Sequence, residues 1–132
     1  MKTMLTIIFL FALLIAPANA QSSNLGNPII SQQTAVAASS LVGKTIQGNL
    51  YGFSATSGAS AGYVLIFDAA AAPSDGTVTP KFCYNLPANS TTGASWLSYP
   101  VPFQNGLVIE FSSTGCYSAT ASATAFITAQ VR

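Results

Sequence analysis

The sequence predicts one all-β domain, an antiparallel β-sandwich of immunoglobulin-like or jelly-roll type with about seven strands. Apolar residues alternate with polar ones or form short solid runs, and turn residues interrupt them at regular intervals. The one helix-like stretch, residues 69–72, is followed at once by Pro73, which disfavours helix in the preceding residue. Short strands joined by Gly and Pro turns are typical of sandwiches, and the pattern leaves both types open.

Three segments give the strongest strand patterns. Residues 63–67 are five consecutive β-formers, which favours a strand covered on both faces. Residues 107–111 alternate, so we expect an inward face and a solvent face, with Glu110 on the latter. Residues 123–131 place Ala and aliphatic side chains at every second position, which predicts a half-buried C-terminal strand.

Four weaker strands complete the predicted sandwich. They cover residues 35–41, 48–55, 81–86 and 94–99. Turns are predicted at five dipeptides that end in glycine: Ser57-Gly58, Asp75-Gly76, Thr92-Gly93, Asn105-Gly106 and Thr114-Gly115.

The N-terminus has the pattern of an export signal. Lys2 precedes an apolar run, and Ala18-Asn19-Ala20 forms a small-residue cleavage site, so we expect residues 1–20 to be removed. The run is shorter than the roughly 20 residues of a membrane-spanning helix. We therefore expect a periplasmic or extracellular protein with an extended arm over residues 21–33 and the sandwich over residues 34–132.

Charged side chains are scarce. They make up 5% of the 132 residues, with four basic residues, three acidic residues and no histidine, whereas soluble domains average about 25%. This composition argues against nucleic-acid binding, a metal site and a cofactor. A surface of this kind favours contact with copies of the same chain or with a larger protein assembly.

Two cysteines, Cys83 and Cys116, remain after signal cleavage. In an exported protein they allow a single pairing, and we predict that they form a disulfide. Closing this loop lowers the entropy of the unfolded chain and adds about 3–4 kcal/mol to the free energy of unfolding.

Catalytic patterns are weak. Residues 58–62 match the G-x-S-x-G motif around Ser60, but a strand is predicted after them where the motif needs a helix, and no histidine is present to accept the serine proton. The carboxylates of Asp68, Asp75 and Glu110 are expected at strand ends, turns and exposed surface, not as an acid/base pair. We therefore do not expect an enzyme.

Aromatic residues offer one candidate binding site. Most of them are expected in the core, where Ala, Val and Ile provide little volume. Trp96 and Tyr99 lie in a weak strand flanked by serines and prolines. If exposed, they would form a patch for stacking on sugars or docking a protein.

Several segments together resemble a group of small proteins encoded in bacteriophages and prophages, chiefly of alphaproteobacteria. The matching residues are 50–53, 59–63, 67–69, 72–76, 78–80, 111–116 and 120–127. The resemblance implies a structural or virion-associated β domain without catalysis. Because capsids and tails assemble in the cytoplasm, the export signal favours a prophage-derived relative displayed in the periplasm or outside the cell.

Two functions follow as expectations. The first is a non-catalytic exported structural protein that assembles with itself or onto a larger particle, such as a virion surface. The arm at residues 21–33 and the strand at residues 123–131 are its candidate pairing elements. The alternative is a secreted binding module that recognises a glycan or a surface protein through Trp96 and Tyr99.

Overall fold

A computed structural model describes residues 28–132, so the predicted signal and most of the predicted arm lie outside the described residues. This part of the chain is all-β and contains no helix. Its strands are β1 (Ile30–Gln33), β2 (Ser40–Lys44), β3 (Gly48–Ser57), β4 (Gly62–Phe67), β5 (Gly76–Thr77), β6 (Phe82–Leu86), β7 (Thr91–Ser95), β8 (Val101–Phe103), β9 (Leu107–Ser112), β10 (Ser118–Ala119) and β11 (Ala125–Val131).

The strands form two main antiparallel sheets, and the prediction of a β-sandwich is confirmed. Sheet A has the order β1-β11-β3-β7, with β8 also paired to β3, and sheet B has the order β2-β9-β4-β6. The core between them takes large side chains from both sheets, among them Leu50, Phe53, Ile66, Phe103, Ile109, Phe111 and Ile127.

The predicted alternation in the C-terminal strand is confirmed. Ala125, Ile127, Ala129 and Val131 are buried, and the residues between them are exposed or half-buried. The strand begins two residues later than predicted, because Ala123 is exposed and lies before β11.

A small third layer covers the outer face of sheet B. Strands β5 and β10 pair with each other there and place Val78 and Ala119 against Leu65, Phe67 and Val108. Both faces of β4 and β9 are therefore covered. The prediction that Glu110 meets solvent is wrong, because it lies on the face that this layer covers and is 1% exposed.

Residues 28–132 form eleven strands, not the seven predicted, because strands of two or three residues are too short to show an alternating pattern in the sequence. Strands β5 and β10 have two residues each and β8 has three. Strand β1 lies inside the predicted arm and pairs with β11 in register, from Ile30 opposite Val131 to Gln33 opposite Thr128. The two predicted pairing elements thus pair with each other.

Two of the glycines at predicted turns have different structural roles. Gly106 has φ 140° in the turn before β9, as Asn105-Gly106 predicted. The turn predicted at Thr92-Gly93 is wrong, because both residues lie inside β7. A Cβ on Gly93 would stand 2.5 Å from the carbonyl oxygen of Phe53, so this glycine allows a close approach of β7 to β3.

Candidate functional site

The predicted disulfide is present. Cys83 on β6 bonds to Cys116 in the connection between β9 and β10, with their Cα atoms 5.6 Å apart. The bond ties the third layer to sheet B, and it is compatible with an oxidising, exported compartment.

Trp96 and Tyr99 differ in their surroundings. Trp96 is half-buried and its ring lies 6.1 Å from that of Phe53 and 5.7 Å from that of Phe82. Tyr99 is 87% exposed in the connection between β7 and β8. Packing therefore occupies much of the Trp96 ring, and Tyr99 is the freely accessible member of the predicted patch.

Ser60 lies in the exposed connection between β3 and β4. Its neighbour Gly62 begins β4, so a strand follows the G-x-S-x-G match, as the sequence predicted. The motif's serine in a hydrolase sits between a strand and a helix, and this connection does not have that geometry.

Two of the three carboxylates bind backbone amides. Asp68 accepts hydrogen bonds from the amides of Gln104 at 2.9 Å and Asn105 at 2.7 Å. These bonds, the one from Asn105 foremost, lower the pKa of Asp68, and Lys81 at 3.9 Å acts in the same direction. Asp75 accepts a 2.9 Å hydrogen bond from the amide of Ala121. Both carboxylates thus fix connections, as expected of turn residues.

Glu110, the third carboxylate, is buried, whereas the alternating pattern of its strand predicts a solvent-exposed position. Neither of its side-chain oxygens has a hydrogen-bond partner in the described part of the chain. Burial raises the pKa of Glu110, and the negative charge of Asp75 adds to the effect. Both effects favour the neutral acid over the carboxylate, relative to a glutamate in water, because burying a charge is costly.

A lateral edge of the sandwich carries the most prominent exposed apolar surface. Strand β1 ends sheet A and β2 ends sheet B, and both border one shallow groove of about 270 Å³. We call this surface, residues 29–46, the β1–β2 edge. It holds five exposed apolar side chains: Ile29, Ile30, Val36, Val42 and Ile46. The sequence did not predict this edge, because the polar residues of the predicted arm gave no strand pattern at Ile30–Gln33.

Residues 28–132 contain no group of three or more side chains suited to hold a metal ion. No helix among them is of a length and apolarity to cross a membrane.

Comparison with known proteins gave no match to a family model, a curated protein or a solved structure.

Proposed function

We propose that this protein is an exported, non-catalytic structural protein that assembles with copies of itself through the β1–β2 edge. The observation that carries the proposal is that both sheets end, on the same side of the sandwich, in strands that expose apolar side chains and almost no charge. Charge is the usual protection of such strands.

Unpaired strand edges are a liability that natural proteins block with lysines, prolines, bulges or covering loops. Lys44 is the one charged residue in the strands at the lateral edges of the two sheets, which are β1, β2, β6, β7 and β8. Strand β8 contains Pro102, and the pairing of β2 with β9 is irregular between Val42 and Lys44. Strand β1 has no charged residue, no proline and no register shift. Strand β1 pairs with β11 alone within residues 28–132, so its outer backbone groups remain available.

Apolar exposure distinguishes the β1–β2 edge from the opposite one. Side chains from both strands, including Ile30 and Val42, line the groove there, and Ile46 lies in the turn that follows. Exposed apolar side chains that lie together mark interaction surfaces more than scattered ones do. Covering them is favourable at about 25 cal/mol per Å² of apolar area.

A second copy of the chain suits this edge. An edge strand is self-complementary, since two identical strands pair antiparallel about a twofold axis, the commonest symmetry of soluble oligomers. Lys44 and Arg132, both basic, are the charged residues that line the groove, so the pairing of two copies has to hold these side chains apart.

The resemblance to phage and prophage proteins supports a place in a larger particle or a host-displayed array. The described disulfide fits assembly after export, where thiols oxidise. If the larger particle is a virion, the same proposal places the protein on the virion surface.

The proposal is tested by the oligomeric state of the secreted chain. We expect light scattering after size exclusion to show a mass that rises from monomer to dimer or higher as the protein concentration rises. The double variant Ile30→Lys/Val42→Lys places charges on both edge strands and should keep the protein monomeric.

Tyr99→Lys/Tyr117→Lys is the matched control, since it adds the same two charges at exposed sites outside the β1–β2 edge. It should assemble like the unmodified protein. A monomer at every concentration, or equal assembly of the edge variant, would contradict the proposal.

A further inference from the structure

We propose a second surface with a different ligand: the open face of sheet A binds an uncharged polysaccharide. The site is a shallow cleft lined in part by Gly52, which we call the Gly52 cleft. Its lining includes Ser54, Ser95, Leu97, Thr128 and Gln130. The proposal does not rest on assembly through the β1–β2 edge.

Strand register builds the cleft. Gly52 lies between Gln130 of β11 and Ser95 of β7, and in the next outward-facing row Ser54 lies between Thr128 and Gly93. Side chains on this face repeat every second residue, so the rows stand about 7 Å apart. Two adjacent rows thus present hydroxyl and amide groups around one opening.

Gly52 is buried at the base of the cleft, and the Gln130 side chain reaches over it. A Cβ at this position would lie 3.1 Å from the carbonyl oxygen of Ala94 and 3.3 Å from Oε1 of Gln130. The cleft encloses about 260 Å³. Drug-sized ligands occupy pockets of roughly 300–1,000 Å³, so this cleft suits one sugar unit of a longer chain.

The polar side chains of the cleft are available to hydrogen-bond a ligand. The side chains of Ser54, Ser95, Thr128 and Gln130 make no hydrogen bond to other residues in the described part of the chain, in contrast to Thr56, whose hydroxyl pairs with that of Thr91 at 2.8 Å. Hydroxyl and amide groups both donate and accept. They match the hydroxyl groups of a sugar.

Two apolar side chains flank these groups. Leu97 is 62% exposed at the cleft, and Phe126 is 53% exposed in the row beyond Thr128. Since the Phe126 row is two rows, about 14 Å, from Gly52 along β11, a chain that seats one sugar over Gly52 reaches the Phe126 ring a few sugar units further on. Aromatic rings offer an apolar face for stacking.

The lack of charged residues in the strands of sheet A favours an uncharged ligand. No strand of sheet A contains an Asp, Glu, Lys or Arg residue. An anionic polysaccharide or a nucleic acid would find no counter-charge on this face. A protein partner is also disfavoured, because interface cores are enriched in aromatic residues and arginine, and this face offers Phe126 and Leu97 among hydroxyls and amides.

Binding isotherms on insoluble polysaccharides test the proposal. The probes are microcrystalline cellulose, chitin, starch granules and cross-linked dextran, with cross-linked pectate as the anionic comparison. We expect depletion of the secreted protein by at least one neutral polymer and none by pectate. Failure to bind every neutral polymer, or equal binding to pectate, would overturn the assignment.

Two variants locate the binding. Thr128→Val/Gln130→Ala removes two polar groups while keeping good strand residues and should weaken binding about tenfold or more. Gly52→Val fills the cleft and should abolish binding. Thr79→Val/Gln104→Ala removes the same groups from exposed positions outside sheet A and should bind normally.

Thermal unfolding verifies that each variant is folded, and light scattering separates the two surfaces. Unchanged binding by a folded Thr128→Val/Gln130→Ala protein contradicts the site. A change in oligomeric mass caused by that variant also contradicts it, because the open face would then be a contact between copies.

Discussion

Glu110 shows how a single residue connects the third layer to the pH dependence of stability. Its carboxyl is buried between sheet B and that layer, and no group in residues 28–132 hydrogen-bonds to it. Burial and the nearby negative charge of Asp75 raise its pKa in the folded protein. The unfolded chain holds the same proton less tightly, so folding and protonation of Glu110 are linked.

We expect stability to fall as pH rises through the interval between the two pKa values of Glu110. Below the ordinary glutamate pKa of about 4.3 both states are protonated and no penalty applies. Above it the unfolded chain releases the proton first, so the free energy of unfolding falls by up to about 1.4 kcal/mol per pH unit until the raised pKa is reached.

Urea unfolding of Glu110→Gln at pH 5 and pH 8 measures this effect. The amide has nearly the same shape and does not ionise, so the variant should lose the decline and exceed the unmodified protein at the higher pH. Asp68→Asn is the control, because the pKa of Asp68 is lowered and its contribution is lost on acidification instead. A decline that persists in Glu110→Gln would exclude Glu110 as its source.

At the scale of elements, the third layer depends on the bond between Cys83 and Cys116. Strands β5 and β10 are two residues each, too short for their own pairing to hold them on sheet B. A few apolar contacts, such as Val78 and Ala119 against Leu65, add to the attachment. The disulfide keeps these short strands in place and restricts the unfolded chain.

Replacing both cysteines by alanine should lower the free energy of unfolding by about 3–4 kcal/mol, the loop-entropy estimate for a separation of 33 residues. Hydrogen exchange should rise first in residues 113–122, before the β4–β9 pair. Denaturant unfolding and exchange measure both. Equal stability of the two proteins, or exchange that rises evenly along the chain, would contradict this role.

The same scale shows what the sequence could and could not predict. Strands β4 and β11 have clear patterns because their side chains face an apolar core on at least one side. Strand β1 was missed because Ser31-Gln32-Gln33 has no apolar period, and backbone bonds to β11 hold it. Glu110 was misplaced because an alternating strand looks the same whether solvent or a small third layer covers its polar face.

The functional surfaces were predicted less well than the fold, for a related reason. Trp96 and Tyr99 were selected by local sequence, yet packing on Phe53 and Phe82 is decided by residues distant in the chain. Likewise, the β1–β2 edge and the Gly52 cleft arise from register between strands that are not adjacent in sequence. Residue type alone carries no signal for them.

At the scale of the whole molecule, scarcity of charge has a structural meaning. Within residues 28–132, no strand of sheet A contains a charged residue, and Lys44 and Arg132 are the charged residues at the β1–β2 groove. Charge normally keeps domains soluble and separate. This scarcity of charge on two open surfaces is the basis of both proposals, assembly of copies at the β1–β2 edge and binding of a neutral polymer on sheet A.

Amide hydrogen exchange at a low and a high protein concentration tests assembly through the β1–β2 edge most directly. Pairing between copies protects backbone amides that a lone edge strand leaves to water. The proposal predicts that peptides covering residues 29–46 exchange more slowly at the high concentration, while those covering β6 and β7 do not change. Exchange in residues 29–46 that is independent of concentration, or slowing confined to β6 and β7, would contradict it.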